Sequence, residues 1–225
     1  MKRIVVAGAS RGIGAAVARH YEDRGCEVIA LSRGPAAAGR WVPCDLSRAD
    51  EIERIAGEIG QAPMDALLFT GGVWEAGAFT DAYRFAASRP AEAVNVLAVN
   101  LLAPILLTQA FLPALAAASG RVVLIGSLSG LDHTASSEVA NSASKYGLRG
   151  AAQALHLTLA PAGVGVTVIN PGNVDTEEVR EDIASGAFDE QVPIPIADVL
   201  ASFDFALGLS PASVVSEVNL AQMRG

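Results

Sequence analysis

Short apolar runs recur along the chain, separated by stretches in which apolar residues return at helical spacing. The runs are Ile4 to Ala7, Val28 to Leu31, Ala66 to Phe69, Val122 to Ile125 and Val164 to Ile169. Alternation of strand-length runs with helical periods predicts βαβ units and an α/β fold built on a doubly wound parallel sheet. Ile13, Val17 and Tyr21 sit one helical turn apart, with Gly25 as a stop. Ser47, Asp50 and Glu51 are expected to cap a second helix whose Ile52, Ile55 and Ile59 share a face before Gly60. Pro90 to Ala118 is almost continuously apolar, with a kink expected at Pro104 and a break at Pro113. After Lys145, Leu148, Ala152, Leu155 and Leu159 keep the helical period until Pro161 and Gly163 end it. Residues 176–195 are acidic and poorly periodic and close on Pro193 and Pro195, a pattern that suits a substrate lid better than a core element. No repeat or linker divides the chain, so residues 1–225 are expected to form one domain.

Composition narrows the partners. The 225 residues are 51% hydrophobic and 18% charged, enough to bury one sizeable core. A net charge of -8 repels polyanions, so nucleic acid is not an expected partner. The longest unbroken apolar stretches, Leu101 to Leu107 and Phe111 to Ala118, fall short of the ~20 residues a membrane span needs, and no transmembrane helix is expected. Met1-Lys2-Arg3 leads straight into a run too short for a signal peptide, which points to the cytoplasm. Cys26 and Cys44 lack metal-ligand spacing and read as reduced thiols; no metal is expected.

The first strand runs into Gly8-Ala9-Ser10-Arg11-Gly12-Ile13-Gly14, and a helix follows at once. Gly8 lets the chain turn, Gly12 admits a pyrophosphate close to the backbone, and Gly14 permits tight helix-to-strand packing. The helix N-terminus offers its free N–H groups to the anion. This G-x-x-x-G-x-G spacing resembles the short-chain dehydrogenase/reductase family, and further matches follow in order. Cys44-Asp45-Leu46 is similar to the family's adenine-side Asp-hydrophobic pair, and Asn100 to its Asn behind the active site. Gly120 to Ser127 resembles the strand that ends in the active-site Ser, and Asn170 to Thr176 the P-G-x-x-x-T element along the nicotinamide.

The resemblance implies a Rossmann fold. It implies cofactor contacts from Gly8, Ser10, Arg11, Gly12, Ile13, Gly14, Ser32, Arg33, Asp45, Leu46, Gly71, Lys145, Pro171, Gly172, Val174 and Thr176. It also implies a small-molecule carbonyl or alcohol substrate and a homo-dimer or homo-tetramer, for which the apolar surplus of residues 90–118 and of the helix after Lys145 is a second argument. Charge chooses the nucleotide. An NAD site needs a carboxylate about 20 residues past the glycine turn, but Ser32 stands there, with Arg33 beside it and Arg11 inside the turn to pair with a 2′-phosphate. NADP(H) is therefore expected over NAD(H).

Two departures stand out. Asn141-Ser142-Ala143-Ser144-Lys145 resembles the family's Y-S-A-S-K, with Asn141 in the place of the Tyr that exchanges the substrate proton. A carboxamide can donate a hydrogen bond but cannot titrate, leaving Ser127, Lys145 and Asn100 of the implied catalytic set. Tyr146 lies about 100° further round the helix and is expected to pack. Phe69-Thr70-Gly71-Gly72 stands where the family has N-N-A-G, a change that touches support more than chemistry. Three readings remain open: a reductase whose proton comes from Ser127, His133 or a water held by Lys145; a non-redox dehydratase, isomerase or cyclase; and a catalytically silent NADP-binding module.

Overall fold

The computed structural model describes residues 1–186, 188 and 191–223. In chain order the strands are β1 (Arg3–Ala7), β2 (Glu27–Ser32), β3 (Arg40–Pro43), β4 (Ala66–Phe69), β5 (Arg121–Ile125), β6 (Gly165–Pro171) and β7 (Glu217–Leu220). The α-helices are α1 (Gly12–Glu22), α2 (Ala49–Ile59), α3 (Pro90–Leu97), α4 (Ala103–Ala110), α5 (Leu112–Ala118), α6 (Val139–Leu159), α7 (Glu177–Ala184) and α8 (Ile196–Gly208). All the strands run parallel in the order β3-β2-β1-β4-β5-β6-β7.

Successive residues of a strand point to opposite faces, and both faces here are covered. Val5, Leu67 and Phe69 pack against Ile55 of α2, Leu107 of α4 and Leu148 of α6. Ile4, Val6 and Leu68 pack against Val17 and Tyr21 of α1 and Val199 and Phe203 of α8. The chain builds outward from β1 in one direction and from β4 in the other. The resulting crevice beyond their carboxyl ends is where such sheets bind ligands.

Several local expectations need correcting. Ser47 does not cap α2: the cap position is Arg48, and Ser47 gives its N–H and hydroxyl to Asp45 Oδ1 at 2.9 and 2.8 Å. Asp50 and Glu51 occupy the first turn, where their charge meets the helix dipole. Pro104 lies in the first turn of α4, and the irregularity precedes it as a π-helical turn over Ala98–Leu102. Proline withholds an N–H from the preceding turn, and a widened turn accommodates the loss. Through that turn Pro90–Ala110 forms a continuous 21-residue helical run of mean hydropathy 1.7, long and apolar enough by composition to cross a bilayer. Polar residues, Asn95, Asn100, Thr108 and Gln109, interrupt its apolar stretches without breaking the helix. Here the run lies against the sheet and α6, with Leu107 in the core and Asn100 fully hydrogen-bonded inside.

Candidate active site

The glycine turn is built by close approach. A side chain on Gly8, whose φ is +90°, would meet the Gly71 backbone nitrogen at 2.5 Å. One on Gly14 would meet the Gly8 carbonyl oxygen at 2.0 Å. Gly14 therefore sets how closely α1 seats on β1 and does not itself line the cleft. The first turn of α1 carries no acid, so its N–H groups remain an electropositive cradle. Thr70 joins the turn to β4 by donating Oγ1 to the Ala7 carbonyl at 2.8 Å, so replacing the resembling family's Asn keeps a hydrogen bond there. Phe69 is wholly buried in the core.

A cleft of about 570 Å³ opens from this turn across the carboxyl ends of the strands. Gly8, Ser10, Arg11, Gly12 and Ile13 line it, with Ser32, Arg33, Asp45, Leu46 and Gly71 at one end and Pro171, Gly172, Val174 and Thr176 along its side. Ser32 Oγ donates to the Gly34 carbonyl at 2.8 Å and closes the β2 turn. Burial works against the charge on Asp45, but the Ser47 N–H and hydroxyl, with Arg33 and Arg48 near, hold its carboxyl below the usual range. The two arginines read as phosphate partners differ. Arg33 is exposed and makes no ion pair among the described residues, whereas Arg11 Nη1 lies 3.1 Å from Glu178 Oε1 across the cleft mouth.

Ser127, Asn141, Lys145 and Asn100 all reach this cleft. Ser127 ends the β5 segment, and its Oγ accepts from Ser129 N and Oγ at 3.1 and 2.9 Å. Lys145 and Asn141 lie one turn apart on α6 and share a face. Lys145 Nζ donates to the Ile125 carbonyl at 3.2 Å, and burial pushes its ammonium down from the ordinary lysine value to about 8. The Asn141 side chain makes no hydrogen bond to another described residue. Asn100, in the π turn, accepts from Val73 N–H at 2.9 Å and donates to the Val73 carbonyl at 2.8 Å. It also donates to Ser144 Oγ at 3.1 Å, and Ser144 donates to the Asn141 carbonyl at 2.7 Å. Asn100 thus ties the loop after β4 to the helix bearing Asn141 and Lys145, and it acts on the backbone.

His133 is exposed and lies outside the cleft-lining residues, so the structure does not bring it together with Ser127 and Lys145. Tyr146 is half-exposed and gives its hydroxyl to the Leu131 carbonyl, so it anchors that loop as well as packing. Residues 176–195, expected as a lid, contain α7, capped by Thr176 Oγ1 on Val179 N–H at 3.4 Å, and none of the helix is buried. Residues 187, 189 and 190 of the segment lie outside the described residues.

Two buried acids escaped the sequence. Glu75 Oε1 accepts from the Ala140 and Asn141 N–H groups at 2.7 and 3.3 Å, placing a carboxylate on the positive end of α6. In return Glu138, just before α6, accepts from Phe79 N–H at 2.8 Å and from Ser137 Oγ at 3.0 Å. Burial opposes the Glu138 charge, but these donors and Ser136 hold its carboxyl below the usual range. A lone acid inside each of two otherwise apolar or small-residue stretches was the available signal.

A parallel sheet in this order, with a glycine cradle and a Ser and Lys pointing into one crevice, defines a dinucleotide-binding α/β protein. The short chain dehydrogenase family model matches residues 2–185, and the chain belongs to the short-chain dehydrogenase/reductase family of oxidoreductases. It is 31% identical over 198 residues to the 3-oxoacyl-[acyl-carrier-protein] reductase MabA of Mycobacterium avium, covering 84% of this chain and 74% of that one. It is 30% identical to an uncharacterized oxidoreductase of Staphylococcus aureus over 78% of this chain and 79% of the other. A metagenomic short-chain oxidoreductase solved in complex with NADP superposes with a TM-score of 0.75 at 30% identity, covering 98% of this chain and 97% of that one. Actinorhodin polyketide ketoreductase, in a variant solved with NADPH, shares the fold at a TM-score of 0.83 and 23% identity, covering 98% and 96%.

Proposed function

We propose that the chain is an NADP(H)-dependent oxidoreductase acting on a small carbonyl or alcohol substrate, with proton transfer weakened at Asn141. The observation that carries this reading is one cleft that joins the glycine cradle, whose first helical turn carries no acid, to Ser127, Asn141 and Lys145. Gly8, Gly12 and the N–H groups opening α1 would hold the pyrophosphate, Asp45 and Leu46 the adenine, and Pro171 to Thr176 the nicotinamide side. NADP(H), when bound, supplies the hydride chemistry. Lys145 would hold the nicotinamide ribose and keep a positive charge beside the carbonyl oxygen. Ser127 would give that oxygen a hydrogen bond and the Asn141 carboxamide a second without releasing a proton, and the proton that completes the alcohol would come from Ser127 or from a water held by Lys145. A panel of ketones and aldehydes read by NADPH and NADH oxidation tests it. Stoichiometric NADPH use on any of them supports the reading. Cofactor binding without turnover anywhere in the panel favours the silent NADP-binding module, for which Asn141 is the supporting observation.

NADPH is expected to bind more tightly than NADH. The carboxylate that would hold a 2′-hydroxyl is absent at Ser32, and Arg33, which makes no ion pair among the described residues, stands at the same end of the cleft. A charge-assisted pair there contributes on the order of 1.5–3 kcal/mol, or roughly 10- to 150-fold in Kd. Titration calorimetry with both nucleotides, repeated on Arg33→Asp, reads it: the variant should lose most of the preference. Equal affinities in the unmodified protein refute the assignment.

The chain is also expected to self-associate. Val94, Leu97 and Leu102 stay exposed on the run from α3 through the π turn, and Val139, Tyr146 and Leu157 on α6. Light scattering at micromolar concentration should give a multiple of 23.1 kDa; the monomer mass overturns this.

A further inference from the structure

Three aromatic rings at the cleft mouth have no part in the chemistry above. Trp74 and Phe79 come from the loop after β4 and Phe188 from the segment after α7, and all line the cleft that holds Ser127 and Lys145. Ring centroids lie 6.0 Å apart for Trp74 and Phe79, at 64°, and 6.3 Å apart for Phe79 and Phe188, at 73°. Both pairs are edge to face, the arrangement aromatic rings prefer. Trp74 is nonetheless 51% exposed and Phe79 36%. Large apolar rings left open to water beside a reaction site form a binding face for an apolar ligand.

The Phe79 backbone is held where it is. Its φ of +64° lies in the left-handed region that a phenylalanine rarely adopts, and its N–H is bound by buried Glu138. Strain of this kind persists only where surrounding structure enforces it, and it gathers at ligand clamps. The same pair of loops, through Glu75, fixes the start of α6 and so Asn141. Ring and reacting end are set by one reciprocal clamp.

We propose that Trp74, Phe79 and Phe188 form an aryl-recognition subsite, so that the substrate is a neutral carbonyl compound bearing an aromatic ring. Its carbonyl rests on the reductase reading, whereas its ring rests on the rings alone. Charge agrees with neutrality. Among the described cleft-lining residues the cations are Arg11, Arg33 and Lys145, the arginines at the nucleotide end and the lysine at the carbonyl. Glu178 is paired with Arg11 at the glycine turn, and the acid on the ring side is Asp182, whose carbonyl accepts from Phe188 N–H at 3.0 Å. A substrate carboxylate or phosphate there would meet like charge.

The test uses fluorescence in a Trp41→Phe background, where Trp74 is the sole tryptophan. Acetophenone should quench Trp74, with a Kd about 10-fold below that of 2-octanone, a linear ketone of equal carbon count. By calorimetry, Trp74→Ala and Phe79→Ala should each weaken acetophenone binding about 10-fold, while Trp74→Phe keeps it within about 3-fold. Equal binding of the linear ketone, or an unchanged Kd in Trp74→Ala, overturns the subsite. Turnover confined to aliphatic ketones overturns it too and leaves the reductase reading standing. Acetophenone binding that depends on Trp74, with no NADPH oxidation by the unmodified protein or by Asn141→Tyr, supports the subsite and sinks the reductase reading.

Discussion

Asn141→Tyr is expected to raise kcat on at least one ketone or aldehyde by ~100- to 10,000-fold, the usual worth of a positioned general acid. The surroundings of a phenol are already in place. Asn141 faces the cleft with its carboxamide making no hydrogen bond among the described residues, so a ring placed there projects toward the cleft. Lys145 sits one turn along the same helix face, and its charge would lower the pKa of the new phenol. The start of α6 is held by Glu75 and by the Asn100–Ser144 relay, both of which act on backbone groups and are indifferent to the side chain at position 141. NADPH affinity should stay nearly constant, because Lys145 keeps the ribose contact. Steady-state kinetics on a carbonyl panel and nucleotide titration, run side by side on both proteins, read the outcome. Brisk NADPH oxidation by the unmodified protein would show that another group, with Ser127 as first suspect, already delivers the proton. No gain in the variant, with cofactor still bound, would favour a non-redox or binding role.

What could be read from residues follows from how each element is stabilised. β1, β2, β4, β5 and β6 are buried on both faces, so their apolar runs are visible without any partner. β3 and β7 are edge strands of four residues: of Arg40–Pro43 only Val42 is buried, and none of Glu217–Leu220 is. Their pairing comes from the sheet beside them, and a window of four residues carries too little of it. α8 was invisible for the opposite reason. Its apolar residues run almost all round, burying Val199, Phe203 and Ala206, so no single stripe marks the period. At the site, the glycine turn, Ser127 and Lys145 announce themselves because each sits at a strand end or on a helix face set by short-range spacing. Glu75 and Glu138 do not, since each acquires meaning only when the loop after β4 folds over the start of α6, more than 60 residues away in sequence in the case of Glu75 and Ala140. The three rings of the cleft mouth are likewise gathered from two distant segments.

Lys145→Met is expected to stabilise the ligand-free protein at pH 7 while abolishing any turnover. Burial lowers the folded-state pKa of Lys145 from 10.5 to about 8, so below that pH the folded protein must carry an ammonium that the unfolded chain solvates better. The sign follows from proton counting: between about pH 8 and the ordinary lysine pKa of ~10.4 the unfolded state binds more protons, and this group's penalty shrinks as pH rises. Below pH 8 the penalty is complete, on the order of 3 kcal/mol for a shift of this size. Methionine fills similar volume without charge. Losing the Lys145 bond to the Ile125 carbonyl returns about 1 kcal/mol, leaving a net gain of ~2 kcal/mol and a rise of roughly 4–8 °C in Tm. Urea unfolding at pH 7 and pH 10 separates this from simple repacking, because the advantage of the variant should largely vanish at the higher pH. A variant less stable at pH 7, or a difference independent of pH, would mean that the ammonium sits comfortably in the folded protein. The cleft would then owe Lys145 no energetic sacrifice, and the case for it as a charge kept buried for binding and catalysis would fall with it.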